Sequence, residues 1–101
     1  MTASLKEVQS LIRQMYGSKD ASRGVEGTFM WFMEEVGELS GALRGKDKAG
    51  LEKEFADVLA WLATLANITG VDLESAIREK YGSGCPGCSH TPCACARQEK
   101  P

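Results

Sequence analysis

The stretch TFMWFMEEVGELSGALRG, from Thr28 to Gly45, decides the fold class. Phe29, Phe32, Met33, Val36, Leu39 and Leu43 recur at three- and four-residue spacing, so they form one stripe of an amphipathic helix that Thr28 can cap and Gly45 can end. After a short connection of Lys46, Asp47 and Lys48, the segment from Leu51 to Thr69 has the length and Ala/Leu content of a second long helix, stopped by Gly70. So short a link predicts that the two helices run antiparallel as a hairpin.

Upstream, Ser4 and Glu7 have the form of a capping box, and Leu5, Val8, Leu11, Ile12, Met15 and Tyr16 follow at helical spacing, predicting a helix over Ser4 to Tyr16. The stretch GSKDASRGVEG, Gly17 to Gly27, is rich in Gly, Ser and charge and reads as a loop with Lys19, Asp20 and Arg23 exposed. Downstream, Asp72 caps LESAIREKYG, with Leu73, Ala76, Ile77 and Lys80 on an inward side and Gly82 as terminator. The pattern contains no strand signal and no repeat. The expectation is an all-α, four-helix bundle-like domain over residues 1–82, followed by a Cys-rich tail over 83–101.

One helix is too apolar for so small a bundle. VLAWLATLANI, Val58 to Ile68, is hydrophobic nearly all round and needs cover on every side, so a second subunit is expected to complete the domain as a homodimer or homotetramer.

The chain has 101 residues, 43% hydrophobic and 26% charged, with a formal net charge of -2. That length supports one domain with a modest core, and that charge gives no footprint for a nucleic acid polymer. Charges interrupt the apolar residues at the N-terminus, and no apolar run approaches the roughly twenty residues that span a bilayer. A cytoplasmic protein with no membrane partner is expected.

Glu34, Glu35 and Glu38 lie on one helix of the hairpin, Glu54 and Asp57 on the other. At about 100° per residue, Glu38 and Asp57 fall on a face shared with Trp31, Ala42 and Trp61. An isolated acidic pair is ordinarily a solvated helix face. Here Glu35/Glu38 and Glu54/Asp57 make two pairs of repelling neighbours that an antiparallel hairpin can bring face to face, and a divalent cation would offset the repulsion. Oxygen-only ligands suit Mg²⁺ or Mn²⁺, and the absence of Glu-x-x-His motifs argues against a di-iron bundle.

EEVGEL (Glu34 to Leu39) followed by EFADV (Glu54 to Val58) resembles the EExxE…ExxD signature of MazG-like nucleotide pyrophosphohydrolases, and the likeness runs on through VDLESAIREKY. The resemblance implies an all-α homo-oligomer that uses Mg²⁺ to hydrolyse an NTP or dNTP to the monophosphate and pyrophosphate. By motif position it implies Glu35, Glu38, Glu54 and Asp57 as metal ligands, with Glu34 as a further ligand or the group that orients the attacking water. Lys19, Arg23 and Lys80 are candidate phosphate-binding cations, and Trp31 and Trp61 candidate partners for a nucleobase, although such cations are more often simply solvated and a Trp at helical spacing more often belongs to a core or an interface.

Cys85, Cys88, Cys93 and Cys95 carry a separate signal. A CxxC followed closely by CxC favours metal, zinc first, with an iron–sulfur cluster or a redox dithiol as alternatives and His90 as a possible replacement ligand. Two functions follow from the sequence. One is the Mg²⁺-dependent hydrolase; the other is a helical dimerisation scaffold with a zinc-binding docking tail. The acidic quartet favours the hydrolase, because a scaffold needs no paired carboxylates.

Overall fold

The computed structural model describes residues 3–96, so the first two residues of the expected domain and the last five of the expected tail lie outside it. Three helical elements follow in order, α1 (Leu5–Arg44), α2 (Lys48–Thr69) and α3 (Leu73–Tyr81), with no strand among the described residues. The all-α class is as expected. The predicted loop is not.

Residues 17–27 are helical except at Gly24, where φ is 82° and ψ is 175°. The first two expected helices are therefore two arms of one element, joined at a single residue whose positive φ suits glycine. The reason lies in long-range contacts that local composition does not report. Asp20, expected on an exposed loop, is only 3% exposed, and its Oδ2 accepts a hydrogen bond from Thr64 Oγ1 at 3.0 Å. Arg23 Nη1 donates to Asp20 Oδ1 at 3.0 Å and to Thr28 Oγ1 at 3.2 Å, tying the two arms together across the bend. Thr28 is accordingly a fully buried interior residue of α1, not a helix cap.

The first arm starts as expected: Ser4 Oγ accepts from the Glu7 N–H, and Glu7 Oε1 accepts from the Ser4 N–H, both at 3.2 Å. Gln9 then locks the arm to the α2–α3 corner. Its amide donates to Asn67 Oδ1 at 3.1 Å and the Val71 carbonyl at 2.9 Å, and its Oε1 accepts from the Leu73 N–H at 2.7 Å. Asp72 caps α3 through the Glu74 and Ser75 N–H groups, and α3 leaves α2 at 98°.

The apolar core of the single chain is small. Ile12, Ala63 and Ala66 are its buried hydrophobic residues, whereas Phe29, Met33, Leu43, Phe55, Leu59 and Leu62 are left exposed. No residue of α3 is buried, so the side of α3 expected to face inward, including Ala76 and Ile77, is open. The chain exposes 7506 Å², against about 5,600 Å² for a globular monomer of 10.9 kDa. Its radius of gyration is 15.9 Å, against about 13 Å for a compact chain of this length. No single helix among the described residues is long and apolar enough to cross a membrane.

Candidate active site

The second arm of α1 and α2 form the expected antiparallel hairpin, and one register runs along it. Trp31 and Trp61 stack across the interface with centroids 6.2 Å apart and rings 18° from parallel. Seven residues on along α1, and seven back along α2, the same register sets Glu38 against Glu54, within hydrogen-bonding reach of each other. Between these rungs Glu35 falls opposite Asp57.

Carboxylate oxygens of Glu35, Glu38 and Glu54 lie within 4.8 Å of one another. Asp57 and Glu34 are exposed and stand outside that trio, yet the Asp57 charge acts on both Glu35 and Glu54, and the Glu34 charge acts on Glu35. The electrostatics are unfavourable as they stand. Loss of water, followed by the like charges of Glu38, Asp57, Glu54 and Glu34, raises the Glu35 carboxyl above its ordinary range. Loss of water, then Glu38 and Asp57, raises Glu54 in the same way. The Oε2 atoms of Glu35 and Glu54 are buried with no hydrogen-bond partner. Buried carboxylate oxygens without donors are costly, and a hard divalent cation is the ligand that this donor set fits.

A cavity of about 350 Å³ opens at the Trp61 end of the hairpin, lined in part by Tyr16, Lys19, Asp20, Arg23, Trp61 and Thr64 and by none of the clustered acids. Glu54 and Trp61 are seven residues apart on one face of α2, which is roughly 10 Å along the axis. The Arg23 guanidinium lies over the Trp61 ring, 4.8 Å from its centroid, so Trp61 holds an arginine as well as its partner tryptophan.

Residues 23–88 match the family model of the MazG nucleotide pyrophosphohydrolase domain. The chain belongs to this family, and it is a nucleotide pyrophosphohydrolase. It is also 36% identical over 80 residues to a dATP/dGTP diphosphohydrolase of Cyanophage S-2L, an alignment that spans 79% of this chain and 72% of the relative. The matched region begins at Arg23 and takes in both acidic helices of this MazG domain.

Of the sequence-predicted residues, Lys19, Arg23, Trp31 and Trp61 gather at the cavity and its edge. Lys80 does not join them among the described contacts. It lies in the last turn of α3, with its ammonium 5.5 Å from the Tyr81 ring centroid. From sequence Asp20 reads only as an exposed loop residue and Thr28 only as a helix cap, and Thr64 carries no signal as a site residue. Their signal was weak because each is a small polar residue in a helix and acquires its meaning only from a partner on another segment.

The four cysteines form a second cluster, with their Sγ atoms within 4.8 Å of one another. Backbone N–H donors, led by that of Ala94, lower the Cys88 thiol to about 6. The neighbouring cysteines, Cys93 first, push Cys95 up to about 12. His90 is exposed and not one of the four clustered ligands, but its backbone and side chain both hydrogen-bond the Cys88 sulfur, and its carbonyl accepts the Cys85 N–H at 3.0 Å.

Proposed function

We propose that residues 1–82 hydrolyse a nucleoside or deoxynucleoside triphosphate to the monophosphate and pyrophosphate, with Mg²⁺ or Mn²⁺ held by Glu35, Glu38, Glu54 and Asp57. The observation that carries this reading is the pair of buried, unpartnered Oε2 atoms on Glu35 and Glu54 inside a carboxylate cluster. Neither ion pair found among the described residues, Asp20–Arg23 or Glu74–Arg78, supplies this cluster with a cation. When bound, the metal neutralises charge developing on the phosphates during in-line displacement.

The protein's own groups divide the remaining work. Glu34, exposed beside the trio, orients the attacking water and takes up its proton. Lys19 and Arg23 line the cavity on the same face of α2 and supply positive charge to the phosphates. Trp61 is already engaged by Trp31 and Arg23, so the ring with free area for a nucleobase is Trp31, which is 49% exposed. Lys80 is assigned no part in this site.

The active unit is a homo-oligomer. Phe55, Leu59 and Leu62 leave one side of α2 open to solvent, and a second copy of the chain, as a dimer or within a tetramer, covers it.

A panel of NTPs and dNTPs, headed by the dATP and dGTP of the relative's name, tests the activity with and without Mg²⁺. Pyrophosphate release from at least one of them, only with the metal present, is expected. No release from any of them at millimolar Mg²⁺ would overturn the reading.

A further inference from the structure

The nucleotide site leaves the segment after α3 unexplained. Among the described residues of this segment none is buried, yet its backbone is closely organised. The Cys85 N–H donates to the His90 carbonyl at 3.0 Å, while the Cys88 and Ser89 N–H groups donate back to the Cys85 carbonyl at 3.3 and 2.6 Å. Gly84 enters this loop at φ 105°, and a Cβ there would lie 2.8 Å from the Ser89 carbonyl oxygen, so only glycine lets the strands of the loop close.

Further N–H groups point at sulfur. Gly87 donates to Cys85 Sγ at 3.3 Å, Ala94 to Cys88 Sγ at 3.2 Å, and Cys95 to Cys93 Sγ at 3.4 Å. The sulfurs themselves are spaced at 3.5 Å (Cys85 to Cys93), 3.8 Å (Cys85 to Cys95) and 4.0 Å (Cys88 to Cys93). None of these is a disulfide, whose sulfurs would stand about 2.05 Å apart. Four thiolates placed tetrahedrally at about 2.3 Å from one ion are separated by about 3.8 Å, which is the spacing found. An iron–sulfur cluster spreads its terminal thiolates over several irons and so needs them further apart than a single centre does.

We propose that Cys85, Cys88, Cys93 and Cys95 hold one zinc ion in a tetrahedral, all-thiolate site that folds residues 83–96. Soft thiolates select zinc over the hard ions that suit carboxylates, and zinc binds such sites more tightly than ferrous iron. Four protein ligands leave no open position, so the ion is structural. Without an apolar core, the segment takes its folding energy from the metal.

The test uses the full chain, expressed with zinc available and purified under reductant without chelator. Native mass spectrometry and elemental analysis should give one zinc per chain, absent from the Cys88→Ser/Cys93→Ser variant. Cobalt substituted into the wild type should show the intense visible bands of a tetrahedral thiolate centre, which decides the matter even if the variant folds poorly. Chelation should speed amide exchange in residues 83–96 while helical circular dichroism persists. Metal-free reduced protein, cobalt without those bands, a red or brown iron-containing product, or zinc retained by the double variant would each overturn the proposal.

Discussion

Trp31 and Trp61 stack across the α1–α2 hairpin, with ring centroids 6.2 Å apart, and so mark the register that sets Glu38 against Glu54 two turns away. The aromatic pair and the acidic cluster are thus parts of one interface. A shift of one residue in that register would turn the acids of one helix away from those of the other.

Removing one acid should abolish chemistry without harming the fold. Glu38→Ala or Asp57→Ala takes a charge from a cluster whose members repel, so the melting temperature is expected to stay or rise. Turnover is expected to fall roughly 100-fold or more, the usual cost of losing a group that stabilises transition-state charge. Steady-state kinetics beside thermal melts checks both; normal turnover in the two variants would remove these residues from the site.

The same repulsion predicts a pH dependence for the metal-free protein. Glu35 and Glu54 have raised pKa values when folded, so the unfolded chain gives up these protons first, near the ordinary value of 4.5. As pH rises from there through the folded values, the native state holds more protons and stability declines; below that window there is no penalty. Mg²⁺ needs the ionised carboxylates, so its stabilising shift in melting temperature should be larger at pH 8 than at pH 5. Glu35→Gln should flatten the metal-free profile. Equal Mg²⁺ shifts at the two pH values would contradict this account.

Asp20 and Arg23 should prove unequal partners. Arg23→Met leaves the buried Asp20 charge with only the Thr64 hydroxyl, and with Arg23 itself partly exposed the cost falls toward the lower end of about 3–5 kcal/mol. Asp20→Asn keeps the shape and an acceptor oxygen for Thr64, and is expected to cost about 1–3 kcal/mol. Urea unfolding of both variants measures the difference. If Asp20→Asn were the more damaging, the bend would not be held by this pair.

The open side of α2 predicts self-association. Sedimentation at micromolar concentration should show a dimer or tetramer, and Leu62→Glu, which puts a charge among Phe55, Leu59 and their neighbours, should shift it toward monomer. A wild-type protein that sediments only as a monomer would reject the expectation.

Much of this architecture was legible in the sequence because the signals were local. The Ser4/Glu7 box, the Asp72 cap and the acidic rows of the hairpin are set by spacing alone and recur in the structure, whereas Phe29, Met33 and Leu43 of the expected apolar stripe are exposed. The bend was not legible. Gly17 to Gly27 reads as a loop because Gly, Ser and charge disfavour helix locally, and the contacts that override this preference join Asp20 to Thr64 and Arg23 to Trp61 across long stretches of chain. Gln9 carries no local signal for the same reason: a polar residue on an apolar-striped helix reads as solvent-facing until Asn67, Val71 and Leu73 are brought to it.

The central claim is cleavage between the α- and β-phosphates under Mg²⁺, directed by the acids of the hairpin. The most direct measurement is the product balance from one nucleoside triphosphate, followed by ³¹P NMR for the wild type and for Glu38→Ala prepared alongside it. The account predicts monophosphate and pyrophosphate in equal amounts from the wild type, formed roughly 100-fold or more slowly by the variant and not at all in the absence of Mg²⁺. Diphosphate and orthophosphate as the products, or equal turnover by the variant, would contradict it.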